Sequence, residues 1–492
     1  MPLPTIPSGN VASALPTGYD VANSCRFNDG DSPKMTKSLG TATNNKKWTV
    51  NCWLKLGGGI IGNNKVAWSA RNGTSGPYVN FNLQGSDNDH QLVIYGPDTD
   101  GANDFSYRTS RKFRDQSAWY MITVAMDTTL GTAGDRLRIY VNGVEETDFA
   151  EETNPTQNKV YPANYTGYTF VVGARTDDSE FWDGYIAEFC MIDGQQLTPT
   201  SFGEFDEDSP TIFKPIDVSG LTFGNNGFYL DFEDSSNLGN DANGGTDLTE
   251  ANLAAADQAT DTPTNSFCTL NSLVPARNFR IPQSGAAFSE GNCKFATSNG
   301  SSDWGSAMGT IGLTAGKWYA ECKLQATSNN AVIGLKGTHE TSADKFFGET
   351  TGDYSYYATD GDYYPGVGAA SGVSYGDSYT TNDIIGVYVD LDNNKLYFAK
   401  NGTVQNSGTG ISITDPASVN FGLYVLGCQE WNSGGNGTFE WNFGGCPAFA
   451  ISSAVADAGG IGAFEYDPSS GTFDGSSKDF LAICTKNLAE YG

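Results

Sequence analysis

Hydrophobic and polar residues alternate along most of this chain. The pattern is clearest in "KWTVNCWLKL" (47–56), "AWYMITVAMD" (118–127) and "DRLRIYVNG" (135–143). A period of two sends one row of side chains into a core and the other toward solvent, so these runs predict half-buried β-strands. Helical periodicity is nearly absent, and the best helix candidate is the short run "TEANLAAADQA" around Leu253. The pattern therefore predicts an all-β protein.

The same order of strands recurs in the second half of the chain. There the runs are "GKWYAECKLQ" (316–325), "NDIIGVYVDLD" (382–392) and "NKLYFAKNG" (394–402). In each half the third strand ends in an Asn-Gly pair, Asn142-Gly143 and Asn401-Gly402. Asn-Gly is the strongest short hairpin signal, because a type I′ turn needs a positive φ at both central residues. The repeat predicts two antiparallel β-sandwich (jelly-roll) domains in tandem.

A polar segment separates the two halves. It contains one good strand, "GFYLDFED", which we expect to close or cover the first domain, and its polar remainder up to Thr264 favours a domain boundary. Two similar runs, "SFCTLNSL" around Cys268 and "LAICTKNL" around Cys484, predict one closing strand for each domain. The predicted parts are an arm (1–25), a first sandwich (26–205), a connecting segment (206–275), a second sandwich (276–450) and a C-terminal extension with a closing strand (451–492).

Composition supports this fold class and excludes some functions. Among 492 residues there are 60 glycines, which suit many tight turns. The 57 acidic and 28 basic residues give a formal charge of −29, which disfavours nucleic acid as a partner. The nine cysteines contain no CxxC pair, so buried free thiols are expected. The N-terminus does not resemble a secretion signal, and no apolar run is long enough for a membrane span.

Several phrases resemble known families. "IIGVYVDLDNNKLYFAKNG" is similar to the central hairpin of SPRY domains, "GKWYAECKL" to their opening strand and "FEWNFGGCPAFA" to their closing strand. In the first half, "WTVNCWLK", "DRLRIYVNG" and "FWDGYIAEFCMIDGQQLTP" resemble concanavalin A-like (laminin G-like) jelly rolls. Both families share a two-sheet antiparallel sandwich. The resemblance therefore implies a concanavalin A-like sandwich followed by a SPRY-like one, joined by a polar linker.

The whole chain is also similar to structural proteins of marine tailed bacteriophages. The phrases "IPSGNVAS", "DTPTNSFCTLN" and "ICTKNL" carry this resemblance. It implies a protein of the virion surface, in a tail fibre or head fibre, made in the host cytoplasm without a signal peptide. The implied partners are host surface glycan, other virion proteins (adaptor, tail or capsid) and further copies of the chain in a homo-oligomer.

Residues for catalysis are sparse. Glycosidases on this fold need a Glu-x-Asp-x-x-Glu strand, which places its carboxylates on one face. The nearest match is "GEFDEDS", with Glu204 and Asp206, and it lacks the final Glu. The chain has two histidines, His90 and His339, and no GxSxG, HExxH or phosphate-loop motif. We therefore expect no enzymatic activity.

A calcium site is the one metal hypothesis. "GPDTDGANDF" places Asp98, Asp100 and Asp104 around a glycine that permits a tight turn, although Thr109 stands where an EF-hand loop would end in Glu. The nearby Asp87 and Asp89 add two more carboxylates. The alternative interpretation is a pair of solvated hairpin turns, and both interpretations stay open.

The most unusual segment is "GDYSYYATDGDYYPGVGAASGVSYGDSY". Tyrosine presents a rigid apolar face with a polar tip, which suits stacking on sugar rings. The ligand-binding candidates are its tyrosines and one tryptophan from "CQEWNSGGNG", namely Tyr354, Tyr356, Tyr357, Tyr363, Tyr364, Tyr375 and Trp431. The alternative is that these are strand-facing tyrosines together with a subunit contact.

Three functions follow from these observations. The first is a virion surface protein that binds host glycan without catalysis. The second is a capsid decoration protein whose sandwiches stabilise the shell. The third is a polysaccharide depolymerase, which the missing carboxylate pattern disfavours.

Overall fold

The computed structural model describes residues 18–58, 64–73, 76–84, 90–272, 287–297, 304–327, 330–338, 347–366, 371–431 and 437–492. The chain divides into two compact units, Met1–Thr264 and Asn265–Gly492. The division falls inside the predicted connecting segment, 206–275.

Strands form nearly all the regular structure of the first unit. They are β1 (Ser24–Phe27), β2 (Lys34–Ser38), β3 (Lys47–Leu56), β4 (Lys65–Arg71), β5 (Tyr78–Gln84), β6 (Gln91–Gly96), β7 (Phe105–Lys112), β8 (Trp119–Asp127), β9 (Leu137–Val141), β10 (Val144–Glu145), β11 (Phe149–Thr153), β12 (Thr169–Val172), β13 (Gly184–Asp193), β14 (Gly203–Phe205), β15 (Phe213–Pro215), β16 (Phe228–Leu230), β17 (Thr249–Ala251) and β18 (Gln258–Ala259). Short 3₁₀ turns lie at Asp29–Asp31, Ala133–Asp135, Pro162–Asn164, Pro199–Ser201 and Ala255–Asp257.

Two antiparallel sheets make the sandwich of the first unit. One runs β10-β9-β8-β3-β13-β1-β18, with β16 also paired to β13, and the other runs β11-β7-β6-β5-β4-β12-β2-β17. Alternate side chains of both sheets meet in one core. At its centre the Trp68 ring stacks between Phe81 and Phe170, at centroid distances of 5.6 and 5.5 Å. The alternation predicted from the sequence is therefore what builds this core.

The second unit is built in the same way. Its strands are β19 (Ala287–Ser289), β20 (Lys294–Ala296), β21 (Trp304–Met308), β22 (Lys317–Ala326), β23 (Ala331–Lys336), β24 (Tyr354–Tyr357), β25 (Asp362–Tyr364), β26 (Val373–Ser374), β27 (Ile384–Asp390), β28 (Lys395–Lys400), β29 (Thr403–Val404), β30 (Ile411–Ser412), β31 (Val425–Trp431), β32 (Thr438–Asn442) and β33 (Leu481–Ala482). Two 3₁₀ turns lie at Asn406–Gly408 and Pro416–Ser418, and a helix, α1, spans Thr485–Tyr491.

The sheets of the second unit run β19-β20-β32-β22-β27-β28-β29 and β21-β31-β23-β24-β25-β26. β30 pairs with β28 and β33 with β22 at the first of these sheets. A second apolar cluster lies on the outer face of that sheet. Three aromatic residues of the C-terminal extension pack there against strand tyrosines, and they are Phe464, Phe473 and Phe480. The extension therefore covers a face that a bare sandwich would leave to solvent.

The two units share the same order of strands in one of their sheets, as the repeat in the sequence predicts. The order β10-β9-β8-β3-β13 in the first matches β29-β28-β27-β22-β32 in the second. Asn142 and Gly143 have φ of 48° and 79°, and Asn401 and Gly402 have the same values, so both type I′ turns are confirmed. Each Asn side chain also accepts a backbone N–H from the neighbouring strand, Met121 at 2.8 Å and Ile384 at 2.9 Å. The Asn-Gly hairpin recurs because it connects equivalent strands in the two sandwiches, β9 to β10 and β28 to β29.

Three expectations about local structure were wrong. "TEANLAAADQA" forms two short strands around a 3₁₀ turn, because both strands add to the edges of the sandwich. The segments at Cys268 and Cys484 do not close one domain each. Both lie in the second unit, where the Cys268 N–H donates to the Ile483 carbonyl at 2.9 Å. The second half of the predicted closing strand "LAICTKNL" (481–488) is helical, because it lies in the helix Thr485–Tyr491.

All nine cysteines are buried and free, as expected. No described helix is long and apolar enough to cross a membrane.

Candidate ligand-binding site

The tyrosine-rich segment forms the edge of the six-stranded sheet. β24 pairs with β23 and β25, and β25 pairs with the edge strand β26. Because successive residues of a strand point to opposite faces, the run "YSYY" sends Tyr354 and Tyr356 to one side and Tyr357 to the other. The candidate residues are thereby divided into two groups.

The inward group consists of core residues. Tyr354, Tyr356 and Tyr375 are 5%, 0% and 5% exposed. The Tyr356 ring stacks on Phe398 at 5.1 Å, and the Tyr375 hydroxyl accepts the backbone N–H of Phe398 at 3.2 Å. The prediction that these three rings bind a ligand is corrected here, because their faces are already packed. Tyr363 is half-buried and packs on Tyr375 at 5.8 Å.

The outward group forms an aromatic row across the sheet. We define the aromatic row as Trp304, Trp431, Tyr357 and Tyr364. Trp304 lies opposite Trp431 on β21 and β31, with ring centroids 5.5 Å apart. Tyr357 and Tyr364 lie on β24 and β25, with centroids 5.7 Å apart. Trp304 is buried, and the other three rings are half-buried.

Asn330 links the two pairs of the aromatic row. Its side-chain oxygen accepts the Tyr357 hydroxyl at 2.9 Å, and its carbonyl accepts the Trp431 N–H at 3.4 Å. Burial raises the pKa of Tyr357 above its usual value, and Tyr364 adds to the shift. Burial also raises the pKa of Tyr364, with Asp360 and Asp362 adding to it. Both phenols are therefore neutral at physiological pH, and the Tyr357 hydroxyl already donates its proton to Asn330.

Trp304 was missed from the sequence. It stands in "SSDWGSAMG", away from the other aromatic residues, and only the pairing of β21 with β31 brings it to Trp431. An aromatic residue at the start of a predicted strand is a weak signal, because strands are rich in such residues everywhere. The row offers flat apolar faces with neutral phenols at one end, which suits stacking with a ring-shaped polar ligand.

The proposed calcium loop is held together by protein groups. One carboxylate oxygen of Asp98 accepts the backbone N–H groups of Asp100 and Ala102, at 3.1 and 3.0 Å. The Lys159 ammonium lies 3.2 Å from Asp98 and 3.0 Å from Asp100. Burial acts to raise the pKa of Asp98, but hydrogen bonds from Ala102 and other neighbours outweigh it and lower the pKa.

This arrangement is a turn bonded to its own backbone, with a lysine beside two of its carboxylates. Asp104 is exposed and is not gathered with them. Within the described ranges there is no group of three or more His, Cys, Asp or Glu side chains that could hold a metal. Asp87, Asp89 and His339 lie outside the described residues.

The carboxylates nearest to a glycosidase pattern lie in a small separate hairpin. Glu204 is on β14, and both it and Asp206 lie 3.5 Å from the ammonium of Lys214 on β15. Glu204 is exposed. The pair therefore shares a lysine at the surface, in a two-stranded sheet.

Comparison with known families matches both halves. Residues 28–200 match the family model described as the concanavalin A-like lectin/glucanases superfamily. Residues 317–440 match the model of the SPRY domain.

Relatives match over short stretches. The chain is 27% identical over 150 residues to the probable ATP-dependent RNA helicase ddx1 of Dictyostelium discoideum, which covers 30% of this chain and 17% of that protein. It is 29% identical to Ran-binding protein 9 of Homo sapiens over 106 residues, and this matched stretch covers 21% of this chain and 14% of that protein. Among solved structures, the SPRY domain of human HERC1 is 16% identical with a TM-score of 0.26, covering 32% of this chain and 91% of that one.

The family matches and the two sandwiches agree in order and position. The chain carries a concanavalin A-like domain followed by a SPRY domain.

Proposed function

We propose that this chain is a surface protein that binds glycans without catalysis, and that the aromatic row contacts the sugar rings. The observation that carries the proposal is the row itself. Its rings lie side by side on one sheet face, and three of them are half-buried. Sugar rings present apolar C–H faces edged by hydroxyls, which match an aromatic face with a neutral phenol beside it.

Charge narrows the glycan class. The chain carries a formal charge of −29, so its field repels polyanions over a distance set by ionic strength. The row itself contains no cationic side chain to offset that field. We therefore propose neutral glycans rather than sulfated or uronic acid polymers.

The proposed setting is the surface of a bacteriophage virion, in a tail or head fibre. Its support is the resemblance of "IPSGNVAS", "DTPTNSFCTLN" and "ICTKNL" to phrases of marine phage structural proteins. An antibody against this chain should label intact particles at one fixed position. Labelling spread evenly over the capsid shell, with normal adsorption of particles that lack the chain, would instead favour a decoration protein.

Binding is tested on a glycan array with the full chain. Trp431→Ala and Tyr364→Ala should each lower affinity for the best glycan roughly tenfold, because each removes one stacking face worth about 1–1.5 kcal/mol. Tyr491→Ala is the matched control, since that ring is 47% exposed on α1, away from the row. Equal loss in all three variants, or no glycan bound at all, would contradict the proposal.

The absence of catalysis is tested separately. The bound glycan is incubated with the chain and the solution is analysed for released sugar. We expect none. Release that is lost in Glu204→Gln would overturn the non-catalytic part of the proposal.

A further inference from the structure

One end of the aromatic row carries a carboxylate that the stacking of neutral sugar rings does not explain. Tyr356 on β24 lies opposite Tyr363 on β25. The next position along each strand therefore places Asp362 beside Tyr357 on the outer face. Asp362 and Tyr364 are two residues apart on β25, so they point to that same face. Asp362 thus lies among the phenols of the aromatic row.

The Asp362 carboxylate and the edge of the Tyr364 ring lie side by side. A Cβ atom placed on Gly372 would be 2.8 Å from Oδ2 of Asp362 and 3.0 Å from Cε2 of Tyr364. Because residue 372 is glycine, it has no side chain to cover the pair. Asp362 is half-buried, and its carboxylate oxygens reach solvent. A ligand that lies on the aromatic row can therefore touch this carboxylate directly.

The Asp362 carboxylate has no counterion. Neither a hydrogen bond nor an ion pair joins it to any residue that the structure describes. Asp360 is exposed beside it and accepts the backbone N–H of Asp362 at 3.0 Å. Burial raises the pKa of Asp362, and the charge of Asp360 raises it further. A bound cation would offset both effects, because it favours the ionised form of the carboxyl group.

The wider field at this end of the row is also negative. Burial is the main cause that raises the pKa of Tyr357 and Tyr364, and the ionised groups that add to it are all carboxylates. They are Asp360, Asp362, Glu349 and Glu430. The formal charge of the chain, −29, acts in the same direction over longer distances. The field therefore attracts a cation to a place where flat ring faces also lie.

We propose that the aromatic row binds an otherwise neutral glycan in which one sugar carries a free amine, as a 2-amino-2-deoxy sugar does. This inference rests on the proposed glycan function and adds the class of sugar. The protonated amine donates hydrogen bonds to the Asp362 carboxylate, while the ring of the same sugar contacts Tyr364. Cation–π attraction between the amine and the Tyr364 ring acts in the same direction.

Hydroxyl groups are the weaker partners for this carboxylate. Two neighbouring hydroxyls can donate to a carboxylate, but they carry no charge and would leave the repulsion between Asp360 and Asp362 in place. An acetyl group on the amine removes its charge and all but one of its N–H donors. The presence or absence of that acetyl group is therefore what this end of the row should distinguish.

The probes are a short β-1,4-linked oligomer of glucosamine and the same oligomer with every amine acetylated. Each is titrated into the full chain in a calorimeter at slightly acidic pH, where the free amines are charged. We expect the free-amine oligomer to bind at least about fivefold more tightly, because a charge-assisted hydrogen bond is stronger than a neutral one. Equal or weaker binding of the free-amine oligomer would overturn the proposal.

Asp362→Asn is the decisive variant. It should remove most of the preference for the amine and bind the acetylated oligomer as before, which also shows that the row is still folded. Asp479→Asn is the matched control, since it removes one exposed carboxylate just before β33, which pairs in the other sheet of the same unit. The control should keep the preference. A preference kept in Asp362→Asn, or lost equally in both variants, would overturn the proposal.

Two further measurements separate the amine from the glycan function itself. Raising the pH until the free amines are neutral should remove the preference in the wild type, and a preference that persists there would overturn the proposal. Trp431→Ala should weaken both oligomers by a similar factor and leave their ratio unchanged. Glycans bound on the array with neither oligomer bound would overturn this inference alone, whereas no bound glycan at all would overturn the glycan function with it.

Discussion

Glu188 offers the sharpest test of how this fold is held together. It lies on β13 at a bulge where the register against β3 shifts, and its φ is 48°, a left-handed value uncommon for a residue other than glycine. The side chain is 3% exposed. Its carboxyl group receives the hydroxyl of Tyr229 at 2.8 Å and that of Tyr19 at 3.3 Å.

Burial raises the pKa of Glu188 from 4.5 to about 8, against the lowering effect of the two tyrosine hydroxyls and with a small contribution from Asp231 and Glu233. The folded protein therefore keeps this proton up to about pH 8, whereas the unfolded chain loses it near pH 4.5. Between these values the folded state binds more protons, so stability falls as the pH rises. Each pKa unit corresponds to 1.36 kcal/mol, so the full loss is roughly 4–5 kcal/mol.

The variant Glu188→Gln removes this dependence, because an amide stays neutral at every pH. Relative to the wild type, its free energy of unfolding should be nearly unchanged below pH 4.5. The difference should then rise by about 1.4 kcal/mol per pH unit and level off above pH 8, where the variant is the more stable protein.

The assay is urea unfolding of the full chain across this pH range, read by hydrogen exchange on peptides of the first unit. Glu207→Gln is the matched control, since that side chain is exposed in the same unit. For this control, the difference in free energy of unfolding from the wild type should not rise between pH 4.5 and pH 8. A flat difference for Glu188→Gln as well would refute the reasoning, since it would mean that the carboxyl ionises alike in the folded and unfolded states.

Further predictions follow from single contacts. Gly402→Ala should destabilise the second unit by at least about 1–2 kcal/mol in urea unfolding, because φ is +79° and the new Cβ would lie 2.6 Å from Tyr466. Gly131→Ala, with open space around it, should change little. Lys336→Met should lower stability by about 3–5 kcal/mol, since it leaves the fully buried Asp353 carboxylate without its ion pair. A calcium chelator should leave the melting temperature unchanged, because a lysine already lies at the proposed calcium loop.

The strands and both hairpins were predictable because their signals are local. Alternation over five to ten residues defines a strand, and Asn-Gly defines the turn between two of them. The helix at Thr485–Tyr491 was not predictable in this way, since it spans only seven residues and gives too short a periodic pattern. The pairing of Cys268 with the Cys484 segment was also missed, because two similar apolar runs can equally be a repeat or partners of one another.

The candidate site was predictable only in part, because alternation is a local signal and the sheet face is set by a distant strand. Alternation alone separates Tyr356 from Tyr357, but it does not say which of the two faces the core. That choice depends on β23, whose Ile333 lies opposite Tyr356 and belongs to the same core cluster. The buried side-chain oxygens of Asn80 and Asn82, which have no hydrogen-bond partner among the described residues, gave no sequence signal, since asparagine in a strand usually indicates a solvated face.

The outer faces of the sheets differ in whether the chain itself covers their aromatic residues. An antiparallel sandwich needs apolar side chains only on its inner faces, so aromatic residues on an outer face require a cover or a contact. Tyr388 has its cover, because Phe473 and Phe480 of the C-terminal extension pack on it at 4.9 and 5.0 Å. The ring of Trp431, by contrast, is only half-buried. The covered face stabilises the fold. At the half-buried face a bound molecule would complete the burial, which is why we propose that the glycan binds there.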